Sequence, residues 1–170
     1  MAIIKIISGG QTGADRGGLE AALYCGVPHG GWCPKGRKAE DGRIPERYTL
    51  RETDTETYPQ RTECNVVDSD ATIVFSQGAP AGGSLLTLEL ARRCGKPWYA
   101  VDLTRGSQAE HVAGIVSWLH GKAENAEGTS CGRPPETCVL NMAGSRESEN
   151  PGMESTVMAL MRTIIESVNR

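Results

Sequence analysis

The chain is predicted to fold as one α/β domain, residues 1–170, in which a mainly parallel sheet is flanked by helices. Three observations carry that prediction. Compact β-branched runs alternate with helical patterns along the 170 residues. Glycine-rich segments stand where strands hand over to helices. The length suits a single domain that buries its own core without disulfides or metal.

Ala2 to Ile7 is an apolar run closed by Ser8-Gly9-Gly10, which reads as a buried first strand. Asp15 stands where a helix cap is needed, ahead of an apolar face of Leu19, Ala22 and Leu23, with Gly26 as the stop. A short strand is expected over His29 to Cys33. Residues 34–47 are polar and rich in Gly and Pro, a long irregular loop of the kind that tends to mark a functional segment. A second short strand, Tyr48 to Glu52, precedes a helix over Gln60 to Val67. Ala71 to Phe75 repeats the buried-strand signature. After its glycine turn, Ser84 is the expected N-cap of a helix running to Arg93, with Gly95 and Pro97 as stop signals. A strand over Trp98 to Leu103, a helix over His111 to Leu119, a polar loop over 121–136 and a strand over Thr137 to Met142 follow. Pro151 suits the first position of a last helix. The stripe of Met153, Val157, Leu160, Met161, Ile164 and Val168 on that helix reads as core-facing. Strands alternating with helices imply right-handed crossovers and a Rossmann-like, doubly wound sheet.

Bulk composition narrows the function classes. At 38% hydrophobic and 23% charged the chain is an ordinary globular protein, and a net charge of -3 argues against nucleic-acid or anionic-membrane partners. No apolar run reaches the ~18 residues of a membrane span, and the apolar start is too short for a signal segment. The six cysteines show neither a CxxC pair nor histidine spacing for zinc. Reduced thiols in a cytoplasmic protein are expected, Cys131 and Cys138 being the two that bracket a loop.

In a doubly wound sheet, ligands bind beyond the carboxyl ends of the strands. Three loops leave those ends, and they hold the densest unusual chemistry of the chain. The first runs from Ser8 to Gly18. Gly9, Gly10 and Gly13 allow inward-turned amides, Gln11 and Thr12 can donate hydrogen bonds, and Arg16 can pair with a phosphate. The bland alternative is a tight turn in which Asp15 caps and Gly17-Gly18 permit close packing. The second loop offers Gly82, Gly83 and Ser84, with Thr87 one turn on; Ser84 is equally a plain cap. The third places Arg146 among Ser145, Glu147, Ser148 and Glu149, where a bidentate anion contact and a surface salt bridge fit the spacing equally well. Arg61 and Glu63 are either functional or on a solvated helix face. The basic run Lys35-Gly36-Arg37-Lys38 is either a solvated loop or an anion lid. His29, His111 and His120 are too scattered to form a ligand set. No nucleophile elbow, HExxH or Cys–His pairing is present, so no catalytic or metal-ligating residue is assigned.

Ser8-Gly9-Gly10-Gln11-Thr12-Gly13-Ala14-Asp15, Gly31-Trp32-Cys33-Pro34-Lys35-Gly36-Arg37, Arg61-Thr62-Glu63-Cys64-Asn65-Val66, Gly82-Gly83-Ser84 and Arg146-Glu147-Ser148 with Pro151-Gly152 together resemble the molybdenum cofactor carrier proteins. Those belong to the wider LOG-like, lysine-decarboxylase-like superfamily, and the match runs in order over nearly the whole chain. The resemblance implies a homo-oligomer, dimer or tetramer. It also implies that the subunit holds molybdenum cofactor (molybdopterin) or a related phosphate-bearing anion and passes it on unchanged, with molybdoenzymes as recipients. By that resemblance Gly9 to Gly13 and Gly82 to Thr87 form the cradle, and Lys35, Arg61 and Arg146 are cationic partners. The related nucleoside-monophosphate phosphoribohydrolases carry Pro-Gly-Gly-x-Gly-Thr-x-x-Glu at the second loop. Here Gly82-Gly83-Ser84-Leu85-Leu86-Thr87-Leu88-Glu89 lacks the third glycine and sets the threonine one residue out of step, with Glu63 or Glu147 as substitutes for the carboxylate. Three functions follow in order: a non-catalytic carrier, a nucleotide N-glycosidase, and a nucleotide-sensing module.

Overall fold

The computed structural model describes residues 1–122 and 130–170. Its main sheet has six strands: β1 (Ala2–Ser8), β2 (His29–Gly30), β7 (Ala71–Ser76), β8 (Trp98–Asp102), β9 (Ser130–Cys131) and β10 (Thr137–Gly144), in the spatial order β2-β1-β10-β7-β8-β9. All neighbours run parallel except β9, which is antiparallel to β8. The last strand in sequence therefore lies in the middle of the sheet. Residues Ala71 to Ser76 of β7 are buried throughout, as a strand covered on both faces requires.

Helices cover both faces. On one face α1 (Ala14–Cys25), α4 (Gln108–Leu119) and α5 (Met153–Val168) enclose a core that includes Ile6, Phe75, Leu140, Trp118 and Leu160. On the other, α2 (Tyr58–Asp68) and α3 (Gly82–Arg93) pack Val66, Leu88 and Ala91 against Val74 and Trp98. This is the doubly wound, Rossmann-like architecture the alternation predicted. The α5 stripe is buried as expected, and Gly26 ends α1 in the left-handed conformation, its N–H donating to the Ala22 and Leu23 carbonyls.

Several local expectations need correction. The strand over His29 to Cys33 is two pieces, because Gly31 (φ 122°) turns the chain; β2 pairs with β1, while β3 (Trp32–Cys33) pairs with β6 (Arg51–Glu52). Leu23 is 40% exposed rather than core. Asp15, Ser84 and Pro151 are not terminal residues of their helices: the N-caps are Gly13, Ala81 and Gly152. The helix α4 starts at Gln108, earlier than expected, because Ser107 and Glu110 form a reciprocal capping box. Seven residues of the expected 121–136 loop, 123–129, lie outside the described residues, and its far end contributes β9.

The long segment after β3 is not an open loop. A 3-10 turn (Lys35–Arg37) leads into a hairpin of β4 (Lys38–Ala39) and β5 (Gly42–Arg43), over a small core of Leu19, Cys33, Ile44 and Tyr48. Arg37 holds it together from inside: Nε donates to the Ile44 carbonyl at 3.1 Å, and Nη2 donates to those of Pro45 and Tyr48 at 2.9 and 2.8 Å. A buried guanidinium satisfying chain carbonyls is a structural use of arginine, not an anion lid. Cys138 is buried and Cys131 is exposed on β9.

Candidate anion-binding cleft

The first and third loops and the N-terminus of α3 meet beyond the carboxyl ends of β1, β7 and β10. With the start of α2 they enclose a cleft of about 440 Å³. Gln11, Asp15, Arg61, Gly82, Gly83, Ser84, Thr87 and Arg146, all expected from the sequence, line it. So do residues the sequence reading did not single out, chiefly Tyr58 and the end of β10 at Gly144.

The first loop is not the amide cradle expected of it. The Gly10 N–H donates to Ser8 Oγ, that of Gln11 to Asp15 Oδ2, that of Thr12 to Gln11 Oε1, and that of Ala14 to the Ser145 carbonyl. Amides already paired inside the protein are poor ligand donors. The glycines here serve packing. A Cβ on Gly9 would lie 2.0 Å from Arg61 Nη1, and one on Gly13 would lie 2.3 Å from the Ser145 carbonyl oxygen. Gly17 and Gly18 admit α5 and Met142, their bland reading. Arg16 is spent as well: Nε donates to the Gly10 carbonyl at 3.0 Å, and both Nη atoms grip Asp41 at 2.6 and 2.8 Å. Thr12 Oγ1 donates to Glu40 and accepts from the Glu147 N–H.

The second loop meets the requirement. A Cβ on Gly82 or Gly83 would touch nothing within 4 Å, and among the described residues neither N–H has an acceptor. The first turn of a helix leaves such donors free, with a partial positive charge behind them. In this turn the Ser84 and Leu85 amides are paired, both donating to the Ala81 carbonyl. Thr87 Oγ1 donates to the Gly83 carbonyl at 2.8 Å and keeps that turn closed.

Two guanidinium groups complete the walls. Arg61 Nη1 lies 3.3 Å from Asp15 Oδ2. Burial pushes the Asp15 carboxyl above its ordinary 3.8, and Arg61 with the amides of Gln11 and Gly9 pulls it back only in part. Among the described residues Arg146 has no carboxylate partner, so the salt bridge expected as its alternative is not formed. Its backbone N–H donates to Glu149 Oε2, and Glu147 instead accepts from the Gly152 and Glu154 amides at the start of α5. Among the described residues Gln11 Nε2 and Arg61 Nε are buried without a partner, a costly state that an incoming acceptor relieves.

The remaining expected residues lie elsewhere. Lys35 is exposed on the 3-10 turn, and the Gly36 N–H donates to Glu52. Ser148 bonds to Glu40 at the hairpin tip. Glu63 and Glu89 are exposed and outside the cleft lining. Tyr58 left only a weak trace in the sequence, an aromatic beside Pro59 just ahead of Arg61.

Comparison with known proteins agrees with this architecture. No curated protein matches the chain. Among solved structures it is similar to the "Putative molybdenum carrier protein" of Syntrophus aciditrophicus SB, at 43% identity and a TM-score of 0.84 over 96% of this chain and 95% of that one. The model of the circularly permutated YpsA SLOG family matches residues 6–165. With nearly the whole domain matched, the chain belongs to the circularly permutated YpsA SLOG family.

Proposed function

We propose that the chain is a carrier that binds a small anionic molecule in this cleft and releases it unchanged, with molybdenum cofactor as the foremost cargo. The observation that carries the reading is the meeting of unspent donors in one place. The amides of Gly82 and Gly83 and the guanidinium of Arg146 have no internal acceptor among the described residues, and all border one cleft. Such donors suit a phosphate or an oxo-metal group, and the cleft is within the ~300–1,000 Å³ typical of small-molecule sites. The name of the Syntrophus relative supports molybdenum as the element carried. A cytoplasmic homo-oligomer handing the cargo to molybdoenzymes completes the proposal.

Equilibrium titration with molybdenum cofactor, molybdate and nucleoside monophosphates tests it. Binding of the cofactor with micromolar or tighter affinity is expected, and Arg146→Ala should weaken it by about 1.5–3 kcal/mol. A folded protein that binds neither cofactor nor molybdate would remove the molybdenum assignment. One observation keeps nucleotide hydrolysis as the rival: Asp15, a buried carboxyl pushed up by its surroundings, borders the cleft. Free base released from AMP on prolonged incubation would favour that rival over the carrier.

A further inference from the structure

Arg61 and Arg146 look equivalent in the sequence but are held differently. Arg61 is fixed twice. Its Nη1 pairs with Asp15 Oδ2 at 3.3 Å, and its guanidinium lies against Gly9, where an added Cβ would have to displace it. Arg146 has neither support. What it has is Tyr58: the Arg146 Cζ lies 4.9 Å from the ring centroid, and the Arg61 Cζ lies 5.6 Å from the same ring. Tyr58 opens α2 and is followed by Pro59, so the ring stands on a stiff element.

These contacts divide the labour between the two cations. Asp15 offsets the charge of Arg61, whereas Arg146 forms no ion pair among the described residues, although the Glu149 carboxylate also borders the cleft. An arginine without a partner carries rotamer freedom that binding must remove. An aromatic face attracts the guanidinium and limits that freedom in advance. Two guanidiniums on one ring would repel each other, and the Asp15 carboxylate beside Arg61 offsets this.

We infer that Tyr58 is a positioning residue of the cleft. Asp15, Arg61 and Tyr58 form a chain of contacts that presents Arg146 to an oxyanion also held by the amides of Gly82 and Gly83. This rests on the anion-binding reading above and narrows it to ligands whose oxygens reach both walls at once, such as a phosphate monoester or a tetrahedral oxometallate. Tyr58 touches the cation, and the cation touches the ligand.

Titration calorimetry with molybdate and with inorganic phosphate tests this on the full chain. Tyr58→Phe should bind within twofold of wild type, because the ring face is kept. Tyr58→Ala should bind about tenfold more weakly. In an Arg146→Ala background, Tyr58→Ala should cause no further loss, which a merely structural defect would not reproduce. Tyr58→Leu keeps apolar volume without the aromatic face, and repeats the test should the alanine variant fail to fold. Wild-type affinity in both Tyr58→Ala and Tyr58→Leu, or losses that add to that of Arg146→Ala, would overturn the positioning role and leave the cleft's anion binding intact. A folded wild type that binds neither ion would overturn anion binding itself, and the positioning role with it.

Discussion

Replacing Gly13 with alanine tests how the first loop is used. Gly13 has φ 81° and ψ -129°, a conformation that residues with a Cβ avoid. Holding alanine there costs about 1–3 kcal/mol. The added Cβ would also lie 2.3 Å from the Ser145 carbonyl oxygen and 2.8 Å from the Glu147 nitrogen, so the third loop must move. Overpacking of that kind costs about another 1–3 kcal/mol. A total of about 2–6 kcal/mol should appear in urea unfolding as a fall in midpoint of at least about 1 M, taking a slope of ~2 kcal/mol/M. Gly83→Ala is the control. Its Cβ would meet open space, so its stability should stay within about 0.5 kcal/mol of wild type or rise slightly. If Gly13→Ala were as stable as wild type, the first loop would have room to spare and its role as a packed buttress would fail.

The two loops should respond in opposite ways to other changes. Gly83→Val should lower molybdate affinity at least about tenfold by crowding the free amides, with little change in thermal midpoint. Arg16→Met should cost about 2–4 kcal/mol of stability by breaking the Asp41 pair, while ligand affinity measured on the folded fraction stays within about twofold. Burial pushes the Glu40 carboxyl up, but hydrogen bonds from Ser148 and Thr12 outweigh it and hold the group below 4.5. Its contribution to stability is therefore full above pH 4.5 and is lost as pH falls through the lower folded value. Thermal melts should accordingly show Glu40→Gln less stable than wild type near pH 6, and the gap should close toward pH 3.

Much of this fold is legible in the sequence because its signals are local. The runs Ala2 to Ile7 and Ala71 to Phe75 are short, apolar and closed by turn residues, as strands under helices are, although Ile4 stays exposed, and Gly26 stops α1 by a backbone requirement of its own. The features that escaped depend on distant partners. Arg37 reads as one more cation in a basic run until the carbonyls of Ile44, Pro45 and Tyr48 are seen around it. Arg16 reads as a phosphate ligand until Asp41, on a hairpin that no periodicity announces, takes both of its Nη atoms. Tyr58 reveals its role only when Arg146, far away in sequence, arrives at the same ring. The strand-to-helix pattern located the glycine turns, but residue type alone could not separate those with free amides from those that admit a neighbour.

The division between those two kinds of glycine explains how the site can be both rigid and receptive. A donor that is to meet a ligand must be left unpaired, and unpaired donors lower stability unless the surrounding frame is overdetermined. In this molecule the frame is the first loop and the hairpin. Glu40 accepts from Ser148 and Thr12, Thr12 accepts from Glu147, and the Ala14 amide donates to Ser145, so the loop carrying Arg146 is tied at successive residues. With its neighbours fixed in this way, Arg146 can remain without an ion-pair partner, and Gly82 and Gly83 can keep their amides free, among the described residues. On the proposed reading, the richest glycine segment of the chain braces the cleft and lines it through Gln11 and Asp15, while the sparser one supplies the free amides.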